Sequence, residues 1–250
     1  MKSTLTLFIF SVILLISCSC KKSDEAAPPN NTSITNDSLP ANDTLNSGME
    51  YWTKTVQNNV TYEEPSGWWT SLNSLAKLGG PVTVSKTTDK HSGNYAVKLE
   101  SVLWGSDTSS SSLLIPGLLA VGKFITSDPF ILQGKPFTSK PLKLQGYFKY
   151  NSVNNDSDVI YAKLSKYSDI KGYSDTIAEA SFVIKNSISN YQLLDIPFNY
   201  YINNLTPDSV SIVFVSSGDG RNFKGQVGST LYIDDIKFVY SNKKKIKLDF

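Results

Sequence analysis

The 250-residue chain is short of the side chains that most often carry catalysis or bind transition metals. It has two cysteines, Cys18 and Cys20, one histidine, His91, and one arginine, Arg221. With so few sulfur and nitrogen ligands, a zinc site is nearly excluded. A Ser-His-Asp triad would have to use His91, which lies in a polar stretch typical of a turn. Any metal here would therefore be a hard, oxygen-binding cation such as calcium.

The chain also lacks an excess of charge, since its formal net charge is +2. No basic stripe runs through the body of the sequence, and this excludes a nucleic-acid partner. Lysines are concentrated only in residues 241–250, which we interpret as a solvated basic tail.

The one long apolar run lies at the start of the chain, at Leu5–Ile16 after the basic Lys2. It is too short to span a bilayer, which takes about 20 apolar residues in a helix. The run ends in Leu15–Cys18, which resembles the bacterial lipobox, where a small residue precedes a cysteine that is diacylated. An ordinary signal peptide with an incidental cysteine is the alternative. Cys20 is a poorer candidate because a serine stands where the lipobox has leucine.

These features predict a lipoprotein signal peptide over residues 1–17 and a membrane anchor at Cys18. Two or three acyl chains anchor a protein stably, so it would be tethered rather than membrane-spanning. Lys21–Glu25 resembles the charged signals of some outer-membrane lipoproteins, so we expect an outer-membrane lipoprotein on the periplasmic or cell-surface face. Residues 18–45 are polar and poor in large apolar groups, which predicts a disordered stalk. The remaining 46–250 would form a single domain.

From Gly48 onward the apolar pattern has a period of two and no sustained helical period. In Leu142–Tyr150, for example, every second residue is apolar and the intervening ones are mostly polar. Only Ser71–Leu78 has helical spacing, and Gly79 follows it. Nine or ten strands without crossover helices predict an antiparallel β-sandwich. Other strand candidates are Val97–Leu103, Leu113–Leu119, Val159–Leu164, Thr176–Ile184, Tyr191–Phe198, Val210–Phe214 and Leu231–Tyr240.

Several short motifs occur in an order that resembles a known family. They are Asn46–Trp52, Tyr62–Thr70, Ser92–Leu99, Gly134–Phe137, Gly146–Tyr150 and Gly228–Ile236. Together they are similar to the putative carbohydrate metabolism domain of surface lipoproteins in glycan-degrading bacteria. The resemblance implies a jelly-roll sandwich like that of carbohydrate-binding modules, and it brings no established catalytic residue. It also implies carbohydrate as ligand and proteins of a glycan-uptake system as partners.

Asp234 is the most informative carboxylate of the chain. Strict alternation would place it on one face with Ile236 and Phe238, and a buried carboxylate is costly unless it is paired or bound to a cation. In related jelly rolls an aspartate at this place and a glutamate near the domain start hold a structural calcium, which here implies Asp234 and Glu50. A β-bulge at Asp234 and Asp235 that leaves both in solvent is the alternative. Pairing of either acid with Lys237 or Arg221 is another alternative.

Glycan binding requires exposed aromatic rings flanked by hydrogen-bonding groups. Tyr147 and Tyr161 fall on the polar faces of their strands, and Gln145 and Lys149 lie beside Tyr147. Trp104 ends a strand before a serine-rich loop. We therefore expect these five side chains to bind sugar, with Tyr147 and Tyr161 on one sheet surface.

The sequence favours a lipid-anchored β-sandwich outside the cytoplasm that binds or helps process carbohydrate without catalysis of its own. A structural, adhesion or assembly protein is the alternative. A glycoside hydrolase or lyase comes third, because a hydrolase needs two carboxylates on a cleft. The close pairs are Glu63 with Glu64, which would point to opposite faces of a strand, and Asp156 with Asp158, which lie in a turn.

Overall fold

The computed structural model describes residues 32–36, 39, 43–57, 59–105, 112–125, 131–218 and 225–241. The predicted signal peptide, the predicted lipidation site Cys18, Arg221 and the basic tail beyond Ser241 lie outside these residues. In the part of the chain that is described, no helix has the length and apolarity needed to cross a lipid bilayer.

Most of the described chain is in β-strands. The strands are β1 Thr32–Asn36, β2 Trp52–Gln57, β3 Val60–Pro65, β4 Trp69–Ser71, β5 Val84–Thr87, β6 Ala96–Glu100, β7 Val102–Trp104, β8 Leu113–Ile115, β9 Leu118–Val121, β10 Lys123–Ile125, β11 Ile131–Gln133, β12 Lys135–Pro136, β13 Lys143–Asn151, β14 Val159–Ser168, β15 Tyr173–Phe182, β16 Ile188–Pro197, β17 Asn199–Tyr200, β18 Ser209–Val215 and β19 Thr230–Val239. One 3₁₀ helix spans Leu72–Leu78, and Gly79 caps it in the left-handed conformation. The helical spacing in the sequence predicted this element.

Two antiparallel sheets make up the body of the domain. The larger has the order β17-β15-β14-β18-β9-β4, with β12 also paired to β18, and the smaller has the order β16-β13-β19-β6-β5. This arrangement confirms the predicted antiparallel jelly-roll sandwich. β1, β2 and β3 form a separate three-stranded sheet, and β7–β8 and β10–β11 are hairpins.

The core lies between the two sheets and follows the period-two pattern of their strands. Leu144, Phe148 and Tyr150 of β13 have no exposed surface. The ring of Phe148 lies 5.7 Å from that of Phe214 on the larger sheet, and Trp69 packs on Phe214 at 5.8 Å. Because one face of each sheet is buried in this core, the two outer faces point in opposite directions.

The start of the domain differs from the expected one. Thr32–Asn36 lies inside the predicted disordered stalk, yet it forms β1 and pairs antiparallel with β2 in the register Thr32 to Gln57. The prediction is wrong for these five residues, because a strand at a sheet edge is held by backbone hydrogen bonds that side-chain composition does not indicate. Leu45 is already part of the core.

Candidate functional site

β13 presents a row of polar and aromatic side chains on the outer face of the smaller sheet. Lys143, Gln145, Tyr147 and Lys149 alternate with the buried residues of the strand. With about 3.3 Å per residue, this row is about 20 Å long. β16 and β19 lie on either side of β13 and add their own outward side chains. We call the following set the β13 face: Gln145, Tyr147, Lys149, Tyr191, Asp195 and Tyr232.

A β-bulge in β19 sets the position of the neighbouring acids. The register passes from Gln145 opposite Lys237 to Tyr147 opposite Asp234, so β19 holds one extra residue. That residue is Asp235, whose φ of 52° is left-handed, a conformation that aspartate tolerates better than most residues. The bulge returns Ile236 to the core, where it is completely buried.

Strict alternation therefore predicted the wrong face for Asp234. Asp234 lies on the outer face opposite Tyr147, and the bulge alternative was correct in its geometry. Its carboxylate is nevertheless completely buried, because the turn of residues 91–95 covers it. Asp234 Oδ2 accepts the backbone N–H groups of His91 at 2.9 Å and Ser92 at 3.0 Å, and Oδ1 accepts that of Asp235 at 2.8 Å.

Glu50 holds the other end of the same turn. Its Oε1 accepts the backbone N–H groups of Asn94 at 2.7 Å and Tyr95 at 3.1 Å. Gly93 lies between these two anchors with φ +60°, and a Cβ at this position would clash with the Glu50 carboxylate. Glu50 and Asp234 thus fix one turn from its two ends.

The fit of calcium to these residues is incomplete. Burial raises the pKa of Asp234, while its hydrogen bonds from Ser92 and His91 lower it. The backbone N–H donors already stabilise the buried negative charge of Asp234. Calcium, by contrast, takes six to eight oxygen ligands. Among the described residues, the ligand atoms that lie within 4.8 Å of one another come from His91, Asp234 and Asp235, a set that includes an imidazole. Calcium binding by Glu50 and Asp234 stays a prediction, which melting curves with and without a chelator test.

His91 brings an aromatic ring onto the β13 face. Its imidazole stacks on the ring of Tyr147 at 3.4 Å, with the two planes 11° apart. Nδ1 lies 2.6 Å from Asp235 Oδ2, and the ring of Tyr191 meets the imidazole edge-on at 6.3 Å. One face of Tyr147 is therefore covered, and His91, one third of whose side chain is exposed, is the outer ring of the stack.

Lys149 connects the rest of the face. Its ammonium lies 4.1 Å above the ring of Tyr232 and 5.6 Å from that of Tyr191. It also pairs with Asp89, whose backbone carbonyl accepts the Tyr191 hydroxyl at 2.7 Å. The result is a fixed surface of rings and charges with few free side-chain rotations.

The sequence matches the family described as the putative carbohydrate metabolism domain over residues 43–239, most of the chain. The chain belongs to this family. No curated protein sequence matches it. Membership makes this a carbohydrate-related domain, as the motif order indicated.

Two solved structures resemble this family member. A putative glycoside hydrolase from Bacteroides thetaiotaomicron vpi-5482 has a TM-score of 0.61 and 21% identity, over 84% of this chain and 71% of that one. A putative glycoside hydrolase from Bacteroides vulgatus ATCC 8482 has a TM-score of 0.59 and 23% identity, over 84% and 96%. At these identities the likeness shows the fold alone.

Two predicted glycan contacts of this carbohydrate metabolism domain lie away from the β13 face. Tyr161 is on β14 in the larger sheet, so the expectation that it shares a surface with Tyr147 is wrong. Alternation gives the face of a strand on which a side chain lies, but not the sheet to which the strand belongs. Trp104 ends β7 in the separate β7–β8 hairpin and is half-buried.

The sequence analysis did not predict His91, Tyr191 or Tyr232 as parts of the site. Tyr191 lies beside a break in the register of β16 with β13, and Tyr232 precedes the bulge in β19, so alternation alone did not give their outward positions. The position of His91 could not be predicted from the sequence. It depends on a turn that packs over the sheet against Asp234, which is 143 residues later in the chain.

The candidate pair Asp156 and Asp158 is not exposed in a cleft. Asp158 is completely buried, and its Oδ1 accepts the N–H of Ile184 at 2.7 Å. Burial raises its pKa to about 7. Asp156 accepts the N–H groups of Ser157 and Gln226 at 2.8 and 3.1 Å. Both acids hold the turn between β13 and β14, where a substrate does not reach Asp158.

Proposed function

We propose that this protein is a lipid-anchored, non-catalytic carbohydrate-binding domain that works outside the cytoplasm and binds glycan on the β13 face. The observation that carries the proposal is the preorganised stack of His91 on Tyr147, set within a row of hydrogen-bonding side chains. Membership of a carbohydrate-related family supports it.

The physical chemistry of the face suits a sugar chain. Sugar rings have apolar C–H faces that pack on aromatic rings, and hydroxyls that need donors and acceptors. The His91 side chain, one third of which is exposed, provides the packing surface. Gln145 and Lys143 both donate to Asp195, which keeps these three polar groups in place beside the stack. A row of about 20 Å can follow several sugar units of a linear glycan.

His91→Ala tests the site most cleanly. The change removes the outer ring but keeps the backbone N–H that binds Asp234, so the turn should stay folded. We expect about tenfold weaker binding, the scale of one lost aromatic contact. Tyr147→Ala should have a similar effect. The measurement is titration of the purified full chain with the glycans that a glycan array identifies.

Tyr173→Ala is the matched control, because Tyr173 is an exposed tyrosine at the β14–β15 hairpin. It should leave affinity unchanged. Equal affinity of the His91→Ala variant and the unchanged protein would show that the β13 face is not the binding site. Failure of the array to identify any glycan would argue against carbohydrate binding altogether.

The lipid anchor has its own test. If Cys18 is acylated, Cys18→Ala should abolish metabolic palmitate labelling and release the protein from the outer-membrane fraction, whereas Cys20→Ala should do neither. Persistent labelling of the Cys18→Ala variant would place the lipid elsewhere. The lipobox-like Leu15–Cys18 supports this part of the proposal.

An assembly protein of a glycan-uptake system is the second candidate. The observation in its favour is β16, a ten-residue strand at the edge of the smaller sheet that pairs only with β13 among the described residues. A free edge can add a strand from a partner chain. Proline at a β16 position whose backbone N–H points away from β13 would remove a donor from the free edge and should abolish a protein partner's binding while glycan binding persists.

A further inference from the structure

The larger sheet carries a second aromatic cluster on its outer face, opposite to the β13 face. Tyr161 on β14 and Tyr201, just after β17, both donate their hydroxyls to the carboxylate of Glu179 on β15. Tyr161 bonds to Oε1, and Tyr201 bonds to Oε2 at 3.0 Å. One carboxylate therefore positions two phenol rings. We call this group the Glu179 cluster.

Tyr201 is exposed and fixed at the same time. Its side chain is 62% exposed. Its backbone N–H donates to the carbonyl of Ile177 at 2.9 Å, and its hydroxyl is held by Glu179, whose hydrogen bond raises the pKa of Tyr201. A large ring that stays in water without rotational freedom has already lost the entropy that binding would otherwise cost. Such preorganisation is typical of a contact residue.

The carboxylate of Glu179 has acceptor capacity left. An ionised carboxylate offers about four lone-pair positions, and the two tyrosines use two of them. Two neighbouring hydroxyls of one sugar ring could donate to the other two while the ring packs on a tyrosine. The negative charge of Glu179 disfavours an acidic sugar. Lys163 lies opposite Glu179 in the register, but its side chain is buried and is not available to a bound sugar.

We infer that the Glu179 cluster is a second saccharide site, selective for neutral sugars with two adjacent free hydroxyls. The inference rests on the proposed function and extends it. Because the two outer faces of the sandwich point in opposite directions, one chain would bind two glycan strands and cross-link them.

Isothermal titration of the full chain with neutral hexasaccharides tests the inference. The panel is cellohexaose and mannohexaose, whose internal units have adjacent free hydroxyls, with polygalacturonate as the acidic counterpart. We expect two neutral oligosaccharides per chain. Tyr201→Ala should leave one, His91→Ala should weaken the β13 face about tenfold, and the double variant should keep only that weakened site. Tyr201→Phe keeps the ring but loses its hydrogen bond, so it should weaken the second site without abolishing it. Tyr173→Ala is again the control.

The outcomes separate this inference from the proposed function. A stoichiometry of one, with affinity that His91→Ala weakens about tenfold and Tyr201→Ala leaves intact, would overturn the second site and keep the β13 face. A stoichiometry of one that only Tyr201→Ala abolishes would support the Glu179 cluster and overturn the β13 face. Binding of polygalacturonate at the Glu179 cluster would contradict its selectivity, and no binding of any probe would overturn both sites.

Discussion

At the scale of single residues, Gly93 is the position where the 91–95 turn tolerates least change. A side chain there would meet the Glu50 carboxylate, and φ of +60° is unfavourable for other residues. We expect Gly93→Ala to lower the free energy of unfolding by more than the 1–2 kcal/mol typical of left-handed strain alone. Denaturant unfolding measures the loss.

Gly79→Ala is the control that separates strain from collision. Gly79 has φ of +80°, but no atom lies within 4 Å of its would-be Cβ. Gly79→Ala should therefore lower the free energy of unfolding only by the strain of the left-handed conformation. Equal losses for both variants would mean that the Glu50 side chain moves aside freely, and that its hold on the turn is weak.

Asp158 should make stability depend on pH. Its pKa is about 7 in the folded protein and ordinarily 3.8, so the fold favours the protonated acid. Its stabilising contribution is complete below pH 3.8 and is lost as the pH rises through 7. Relative to Asp158→Asn, which cannot ionise, the unchanged protein should lose on the order of a few kcal/mol between pH 4 and pH 8.

The measurement for Asp158 is chemical denaturation of both proteins across this pH range. The slope of the difference matters, since the amide adds a constant offset through its own unpaired group. Stability curves that run parallel from pH 4 to pH 8 would show that Asp158 keeps an ordinary pKa.

At the scale of elements, the bulge in β19 decides which residues reach the core. Removing Asp235 should restore regular alternation, with Asp234 outward and Ile236 inward. The variant should fold, although it loses the hydrogen bonds of Asp235 to His91 and Ser92. Removing Tyr232 instead would send Ile233 outward and Asp234 inward, so that variant should not fold. Thermal melts followed by circular dichroism distinguish the two, and an equal effect would contradict the register.

The elements also show how far the sequence can predict this domain. Alternation gave the core-facing residues of β13, β14 and β18 correctly, although β18 is buried on both faces. It was wrong for Asp234, because a single left-handed residue shifts the period and leaves no apolar signature. The sequence placed Gln145, Tyr147 and Lys149 outward correctly, but it could not assign Tyr161 to the other sheet. Such pairing depends on long-range topology.

At the scale of the whole molecule, the last strand holds the smaller sheet together. β19 lies between β13 and β6, so without it the sheet divides into two separate pairs. The turn that carries His91 would also lose its anchor on Asp234. A chain that ends at Gly228 should therefore show no cooperative thermal transition, and a sharp transition in calorimetry would contradict this role of β19.

The central place of β19 also has a consequence for the order of events after synthesis. Ribosomes release the chain from its N-terminal end onward, and the strand that completes the sheet emerges after all the other described strands. Contacts that join distant parts of a chain form slowly, so the domain should remain unfolded until nearly all of it is available. If the N-terminal segment directs export as proposed, that delay keeps the chain unfolded while it passes through a translocation channel. Folding then begins only on the far side of the membrane.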